Sequence, residues 1–212
     1  MIAVLDYGIG NLRSAEKALL HVGAEARLVA SPAEADSAVG VVLPGVGNFG
    51  ACATALRASG LDRVVLDAVA AGKPMLGVCV GFQLLFEDSE ESPGVAGLGV
   101  FEGTVTRLAG AEKLPQMQWN ALDRTPGRDS VLLAGLAEHP WFYFVHSYAP
   151  VPGDESRDAV VATCDYGGPV VAVVERGNCF GSQFHPEKSG DSGLAVLANF
   201  AARCAAPGVV RS

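Results

Sequence analysis

The stretch "PMLGVCVGFQLLF", residues 74–86, runs from strand-like residues into helix-like residues with one cysteine at the junction. "PMLGV" (74–78) is a short apolar run that predicts a buried strand, and "GFQLLF" (81–86) predicts a helix. A buried strand followed at once by a helix is typical of a parallel sheet, because parallel strands are joined by helical crossovers. Cys79 would therefore stand at the carboxyl end of a sheet strand.

The residues before this stretch repeat the alternation of strand and helix. Apolar residues at helical spacing predict helices over residues 12–22 and 61–69. Short apolar runs between them predict strands at 2–5, 26–29 and 39–43, the last of which is expected to stop at Pro44. The first half is thus typical of a parallel sheet with helices on its faces.

The second half changes to β-branched and aromatic runs with short turns between them, which predict mostly antiparallel strands. These strands are predicted at 103–108, 141–145, 159–164, 170–175 and 179–184. A last helix carries Leu194, Leu197, Ala201 and Cys204 on one face. We therefore expect one α/β domain over residues 1–205 and a C-terminal tail over 206–212. Its fold class is a single open, mostly parallel sheet flanked by helices, with added antiparallel strands.

Composition argues against several classes of function. Of the 212 residues, half are hydrophobic and 18% are charged, which is typical of a folded domain. The formal net charge of −8 argues against nucleic acid and anionic membranes as partners. No apolar run reaches the ~18 residues of a membrane span, and "MIAVLDYG" lacks the basic region of a secretory signal. The five cysteines form no C-x-x-C motif, so we expect reduced thiols, no metal site and a cytoplasmic location.

Cys79 lies in the pattern Gly77-Val78-Cys79-Val80-Gly81, which has the form glycine-x-nucleophile-x-glycine. A sharp turn between strand and helix would lift the cysteine out of the sheet, and the flanking glycines would avoid clashes across that turn. The N-terminus of the following helix would favour the thiolate. The alternative is a core cysteine beside a tight turn, and the pentapeptide alone does not decide between them.

A cysteine nucleophile needs a base, and four histidines are available: His21, His139, His146 and His185. His185 follows a predicted strand, and Pro186 places Glu187 two residues away from it. A carboxylate so close can orient the imidazole and stabilise its protonated form. Alone, this pattern would indicate a strand-end histidine beside a surface Glu-Lys pair. Together with the cysteine turn, it favours a Cys79-His185-Glu187 triad.

A second glycine-rich stretch, "LPGVGNFG" (43–50), follows a predicted strand. Its backbone N–H groups could stabilise an oxyanion, cradle a phosphate, or simply form a tight turn. The stretch lacks the Lys-Ser/Thr ending of a P-loop, and "GIGNLR" (8–13) has Arg13 where the dinucleotide fingerprint has its third glycine. Both departures weaken the case for a nucleotide site.

Five motifs together resemble the class I (triad) glutamine amidotransferases. They are "DYGIGNLRS" (6–14), "PGVGNFG" (44–50), "GVCVGFQLLFEDSEE" (77–91), "FYFVHSY" (142–148) and "FHPEKSG" (184–190). Within that family the chain is similar, over nearly its whole length, to glutaminase subunits of histidine biosynthesis. The resemblance implies hydrolysis of glutamine to glutamate and ammonia without a cofactor. It also implies a heterodimer in which ammonia passes through a channel to a cyclase subunit with a (β/α)8 barrel.

The resemblance also implies roles for individual residues. Cys79 matches the nucleophile, His185 the base and acid, and Glu187 the orienting carboxylate. Oxyanion donors are implied at the backbone of Val80 and in the Gly45-Val46-Gly47 loop, at Val46 and Gly47. Positions that hold the substrate are Gln83, Glu91, His146, Ser147 and Tyr148, the last three mainly through backbone. Positions that meet the cyclase are Asn11, Trp119, Asn120 and Lys188.

One stretch departs from the family pattern. The family reads Pro-His-Met-Gly-Trp-Asn where this chain has Pro115-Gln116-Met117-Gln118-Trp119-Asn120. The triad does not depend on this change, but the partner interface does, so another acceptor pathway such as sugar amidation stays open. Two further hypotheses stay open as well. One is a stand-alone cysteine hydrolase of peptides or small amides, and the other is a non-catalytic interaction subunit that has kept the fold.

Overall fold

The computed structural model describes residues 1–110 and 113–206, so the predicted tail lies outside the described residues beyond Ala206. The helices are α1 (Leu12–His21), α2 (Pro32–Ala35), α3 (Phe49–Ala58), α4 (Leu61–Ala70), α5 (Val80–Gln83) and α6 (Gly190–Ala205), with 3-10 turns at Arg157–Ala159 and Pro186–Lys188. The strands are β1 (Ile2–Leu5), β2 (Ala26–Val29), β3 (Gly40–Gly45), β4 (Met75–Cys79), β5 (Asp88–Ser89), β6 (Gly103–Arg107), β7 (Gln116–Ala121), β8 (Asp123–Arg124), β9 (Trp141–His146), β10 (Tyr148–Pro152), β11 (Val160–Asp165), β12 (Pro169–Arg176) and β13 (Cys179–Ser182).

One eight-stranded sheet forms the centre of the molecule, in the order β2-β1-β3-β4-β13-β12-β11-β8. The strands from β2 to β13 are parallel, and β12, β11 and β8 extend the sheet antiparallel. The predicted fold class is confirmed. Within the described residues, no helix has both the length and the apolar character needed to cross a membrane.

The core lies on both faces of this sheet. The strands β1, β3 and β4 are buried along their whole length, as expected for parallel strands covered on two sides. Helix α1 packs against α6, and α3 packs against α4. Two small sheets, β10-β6-β5 and β7-β9, are added to this frame.

Two predicted boundaries near the centre are wrong. The third strand does not stop at Pro44, because Pro44 pairs in register with Val78 and its carbonyl accepts a hydrogen bond from Tyr7. The helix after Cys79 ends at Gln83, not at residue 86. The carbonyls of residues 84–86 instead accept hydrogen bonds from the backbone of residues 98–101, so the chain leaves helical geometry there.

Several elements have no counterpart among the predictions. Helix α3 lies within and beyond the stretch interpreted as a glycine loop, and β7 and β10 fall between predicted strands. The predicted strand at 141–145 exists as β9, but it pairs with β7 outside the central sheet. Small residues in α3 and prolines in β10 weaken the local signals, so tertiary packing decides these elements.

The turn at Cys79 depends on backbone groups that approach each other closely. Cys79 has a φ of 55°, and it is the one non-glycine residue of the described chain with a positive φ. A Cβ on Gly81 would overlap the Leu43 carbonyl oxygen, and a Cβ on Gly77 would lie 2.8 Å from the Phe82 Cα. Both glycines therefore permit the contacts that the sequence pattern predicted.

We expect Gly81→Ala to lower the free energy of unfolding by about 3 kcal/mol, because the new methyl group overlaps rigid backbone. The measurement is urea unfolding followed by circular dichroism. Gly72→Ala is the control, since a Cβ at Gly72 meets no atom within 4 Å and costs only about 1 kcal/mol for its positive φ. Equal losses in the two variants would contradict the close-approach argument.

Candidate active site

The nucleophile and base candidates lie at the carboxyl ends of neighbouring strands. Cys79 is the last residue of β4, and His185 follows β13, which pairs with β4 in parallel. The carboxyl ends of parallel strands meet at one edge of a sheet, so residues 106 positions apart come together. Both side chains are almost fully buried, with exposed fractions of 3% for Cys79 and 2% for His185.

Glu187 orients the imidazole of His185. The His185 Nδ1 lies 2.9 Å from Glu187 Oε1, within the 3-10 turn that Pro186 begins. The Glu187 side chain is only 4% exposed, and Asn11 Nδ2 donates to the same carboxylate oxygen at 3.3 Å. The backbone of His185 is fixed as well, because its carbonyl accepts from Ser189 Oγ at 2.6 Å. The carboxylate therefore defines which imidazole nitrogen faces away from it.

The charges at this site favour a protonated imidazole. Burial opposes the charged form, but the side chains of Cys79 and Glu187 outweigh it and raise the pKa of His185 from 6.5 to about 9. Burial also opposes ionisation of Glu187, but hydrogen bonds from His185 and Asn11 hold the pKa of its carboxyl below the usual value. The pair is thus an imidazolium held against a carboxylate at neutral pH.

Cys79 and His185 open onto a cavity of about 670 Å³. The size suits a small-molecule substrate. Besides Cys79 and His185, the predicted site residues that line it are Asn11, Val46, Gly47, Val80, Gln83, Glu91, His146, Ser147, Tyr148 and Lys188. Glu187 contacts His185 without lining the cavity, and Trp119 and Asn120 lie outside it.

Glu91 is fixed at the cavity by the start of a helix. Its Oε2 accepts the backbone N–H of Phe49, the first residue of α3, at 2.7 Å. The free N–H groups at a helix N-terminus favour a negative charge there. Glu91 therefore presents an oriented carboxylate to the cavity, with Oε1 not engaged in this hydrogen bond.

Gln83 and His146 both donate to one backbone carbonyl. The Tyr148 carbonyl accepts from Gln83 Nε2 at 2.8 Å and lies 2.9 Å from His146 Nδ1. Burial lowers the pKa of His146 to about 4, so its ring is neutral at physiological pH. A carbonyl only accepts, so Nδ1 carries the proton. These side chains fix the Ser147-Tyr148 backbone along the cavity.

Two buried side chains donate hydrogen bonds to backbone carbonyls at the Gly45-Val46-Gly47 loop. The Tyr7 hydroxyl donates to the Pro44 carbonyl at 2.6 Å, and the Cys52 thiol donates to the Val46 carbonyl at 3.3 Å. Burial raises the pKa of both groups, so each keeps its proton. The carbonyls on either side of the Gly45–Val46 peptide are therefore held, and that peptide lies between two fixed neighbours.

Comparisons with known proteins identify the family of this chain. A family model described as glutamine amidotransferase class-I matches residues 3–204. The chain belongs to this family. It is 49% identical over 203 residues to the imidazole glycerol phosphate synthase subunit HisH of Mycolicibacterium paratuberculosis, covering 95% of this chain and 97% of that protein. It is 48% identical to the same subunit of Methanothermobacter thermautotrophicus, covering 94% and 97%.

Solved structures have the same fold as this glutamine amidotransferase. A crystal structure described as a glutamine amidotransferase superimposes with a TM-score of 0.72 at 25% identity, covering 95% of this chain and 98% of that one. The structure of PurLQS from Thermotoga maritima gives a TM-score of 0.74 at 24% identity, covering 94% and 96%. The second likeness shows the fold alone.

Residues predicted at a partner surface lie in different settings in this glutamine amidotransferase. Asn11 and Lys188 line the cavity, and Trp119 lies in β7 and is 47% exposed. The Asn120 side chain instead donates to the Asp165 carbonyl at 2.8 Å within the chain. In the stretch that departs from the family pattern, Gln116 is fully buried and donates to Cys164 Sγ at 3.6 Å.

Three residues near the site were not predicted from the sequence of this glutamine amidotransferase: Tyr7, Cys52 and Gln183. Gln183 is fully buried, and its Nε2 lies 3.8 Å from Cys79 Sγ. A polar side chain in the buried run "CFGSQF", two positions before His185, was a signal that could have found it. Tyr7 and Cys52 gave no such signal, because both residue types are common in cores.

We expect the His185 imidazole to titrate near pH 9, and Glu187→Gln to move that midpoint to lower pH. Removing an anion beside the ring removes a cause that favours its charged form. The measurement is the ¹⁵N chemical shift of the ring as a function of pH. Glu16→Gln is the control, since Glu16 accepts from the Leu28 N–H at the β2 edge of the sheet. An unchanged midpoint in Glu187→Gln would contradict the orienting role.

Proposed function

We propose that Cys79, His185 and Glu187 hydrolyse glutamine to glutamate and ammonia in this chain, the glutaminase subunit of an imidazole glycerol phosphate synthase. The observation that carries the triad is the burial of Cys79 and His185 together at one cavity, with His185 Nδ1 2.9 Å from Glu187 Oε1. Relatives that are 48–49% identical and matched over nearly their whole length support the kind of glutaminase. The catalytic unit is residues 1–205, in the cytoplasm.

Glutamine binding uses the oriented groups of the cavity. Glu91 has one oxygen bound to the Phe49 N–H, and the other pairs with the substrate ammonium group. Gln83 and His146 act through the Tyr148 carbonyl, so the Ser147-Tyr148 backbone is preorganised to hold the rest of the amino acid. Fixed groups of this kind keep the reacting amide near Cys79.

The hydrolysis proceeds through a thioester. The Cys79 thiolate attacks the side-chain amide carbon, and backbone N–H groups of Val80 and of the Val46-Gly47 loop stabilise the oxyanion. His185, protonated beside Glu187, donates its proton to the nitrogen as the C–N bond breaks and ammonia leaves. The neutral ring then removes a proton from water, which attacks the thioester and releases glutamate and the thiolate.

Ammonia has to reach its acceptor uncharged, because ammonium has no free electron pair. We propose that it passes through a channel to a cyclase subunit with a (β/α)8 barrel, which docks over the mouth of the cavity to form a heterodimer. Asn11 and Lys188 line the cavity, and the Trp119 ring comes close to Gly190, two residues after Lys188. Met117 and Trp119 are 61% and 47% exposed, as expected for apolar residues at a protein surface that a partner covers.

The Gly45-Val46-Gly47 loop, which supplies oxyanion donors, offers a means of control by that partner. The Pro44 and Val46 carbonyls are held by Tyr7 and Cys52, so reorientation is confined to the single Gly45–Val46 peptide. A missing oxyanion donor costs roughly 10²–10³ in kcat. A cyclase that contacts one orientation better than the other would switch hydrolysis on.

The decisive experiment measures imidazole glycerol phosphate formation from glutamine by this chain mixed with its cyclase. Cys79→Ala should abolish the glutamine-dependent reaction, because the nucleophile is lost. The reaction supplied with free ammonia should persist, since the cyclase is untouched, and this is the control. Near-normal glutamine turnover by Cys79→Ala would show that the nucleophile is assigned wrongly. Ammonia release without imidazole glycerol phosphate would point to another acceptor, such as a sugar.

Glu91→Gln should raise the KM for glutamine by about 30-fold, which corresponds to roughly 2 kcal/mol. The amide keeps an oxygen for the Phe49 N–H but loses the charge that pairs with the substrate ammonium. The thermal unfolding temperature should therefore fall less than in Glu91→Ala, which loses both contacts. Steady-state kinetics in the complex measure KM, and an unchanged value would assign the ammonium to another group.

A further inference from the structure

Gln183 is a buried amide beside the nucleophile. The residue follows β13 directly, and its backbone N–H donates to the Ala172 carbonyl of β12 at 2.9 Å. Its side chain is fully buried, and Nε2 lies 3.8 Å from Cys79 Sγ. A primary amide with no solvent access has to be satisfied by its neighbours. The neighbours of Gln183 therefore determine which end of the amide faces the sulfur.

Hydrogen-bond polarity fixes that choice. The Tyr148 carbonyl can only accept, and it takes one hydrogen of the Gln83 amide at 2.8 Å. The same nitrogen of Gln83 lies 3.2 Å from Gln183 Oε1, so its second hydrogen goes there. With its oxygen engaged by Gln83, Gln183 presents its NH₂ group to Cys79. The amides of Gln83 and Gln183 thus form a directed amide chain, in which Gln83 donates to Gln183 and Gln183 donates to the Cys79 sulfur.

A neutral donor suits this position for a chemical reason. The thiolate carries a full negative charge, and an N–H donor stabilises that charge more than it stabilises a thiol or a thioester sulfur. His185 gives its proton away during the reaction, whereas the Gln183 amide keeps its hydrogens throughout. When water has attacked and the C–S bond breaks, the electron pair returns to the sulfur. The same N–H then stabilises the negative charge on the sulfur.

We propose that Gln183 is a further residue of the hydrolysis, which donates a hydrogen bond to the Cys79 thiolate and is oriented for this by Gln83. The inference rests on the proposed glutaminase function, but alkylation of Cys79 tests it without any glutamine turnover. Gln83 is then a positioning residue that acts through Gln183, in addition to its contact with the Tyr148 carbonyl.

The experiment follows alkylation of Cys79 by iodoacetamide between pH 5 and 10, with the labelled residue located by peptide mass. Gln183→Met removes the donor at similar volume. The pH of half-maximal labelling should rise by about one unit, because hydrogen bonds to charged groups are among the stronger ones. Gln183→Glu should raise it further, since a carboxylate faces the thiolate. Gln83→Met should shift it in the same direction by less.

The chain contains a matched control. Gln116 is also fully buried and donates to a buried sulfur, Cys164 Sγ, at 3.6 Å. Gln116→Met removes an amide-to-sulfur contact of the same kind elsewhere, and the labelling profile of Cys79 should stay that of the wild type. A wild-type profile in folded Gln183→Met or Gln183→Glu would overturn the proposal. So would an equal shift in Gln116→Met, which would show a general effect of core packing.

Kinetics in the complex with the cyclase give a second readout. We expect Gln183→Met to lower kcat at least 10-fold while KM for glutamine changes less than 3-fold, because the donor acts on the sulfur and not on the substrate. A change confined to KM would overturn the proposal. If the wild-type complex does not hydrolyse glutamine, the proposed function fails, whereas the alkylation profiles still decide whether Gln183 acts on Cys79.

Discussion

The site depends on the close approach of two backbone segments, the end of β3 and the turn after β4. The Leu43 carbonyl oxygen occupies the space that a Cβ of Gly81 would need, and a Cβ on Gly45 would lie 2.5 Å from the Gly81 nitrogen. This contact brings the Gly45-Val46-Gly47 loop beside Cys79, since the loop continues directly from β3. The positive φ of Cys79 follows from the same turn. The geometry of the proposed catalytic site is therefore a consequence of how closely these two segments pack.

The same packing explains how the proposed triad is built from separate parts of the chain. Neighbouring parallel strands bring Cys79 and His185 together although the two residues are 106 positions apart in the sequence. Once His185 is there, the short turn at Pro186 is sufficient to supply Glu187. The imidazole thus has a sulfur on one side and a carboxylate on the other, and the two together outweigh the effect of burial on its pKa.

Much of this arrangement could be predicted from the sequence, because its signals are local. The alternation of strand and helix, the glycines around Cys79 and the spacing of His185 and Glu187 each lie within a few residues. The amide chain could not be predicted, since it joins Gln83 to Tyr148 and Gln183, which are 65 and 100 positions away. Helix α3 was missed because its run of small residues has weak apolar periodicity. The continuation of β3 through Pro44 was missed because proline is usually found in edge strands, whereas β3 lies inside the sheet.

The proposed role of Glu91 links substrate affinity to the stability of a helix. Its carboxylate accepts the Phe49 N–H at the N-terminus of α3. Only Asn48 separates Phe49 from the Gly45-Val46-Gly47 loop. A substitution of Glu91 therefore affects two quantities, the affinity for glutamine and the stability of α3. Under the proposed role, a side chain at position 91 that changes the affinity for glutamine must also accept the hydrogen bond from the Phe49 N–H. The affinity for glutamine is adjusted more freely at residues whose side chains do not also stabilise a helix.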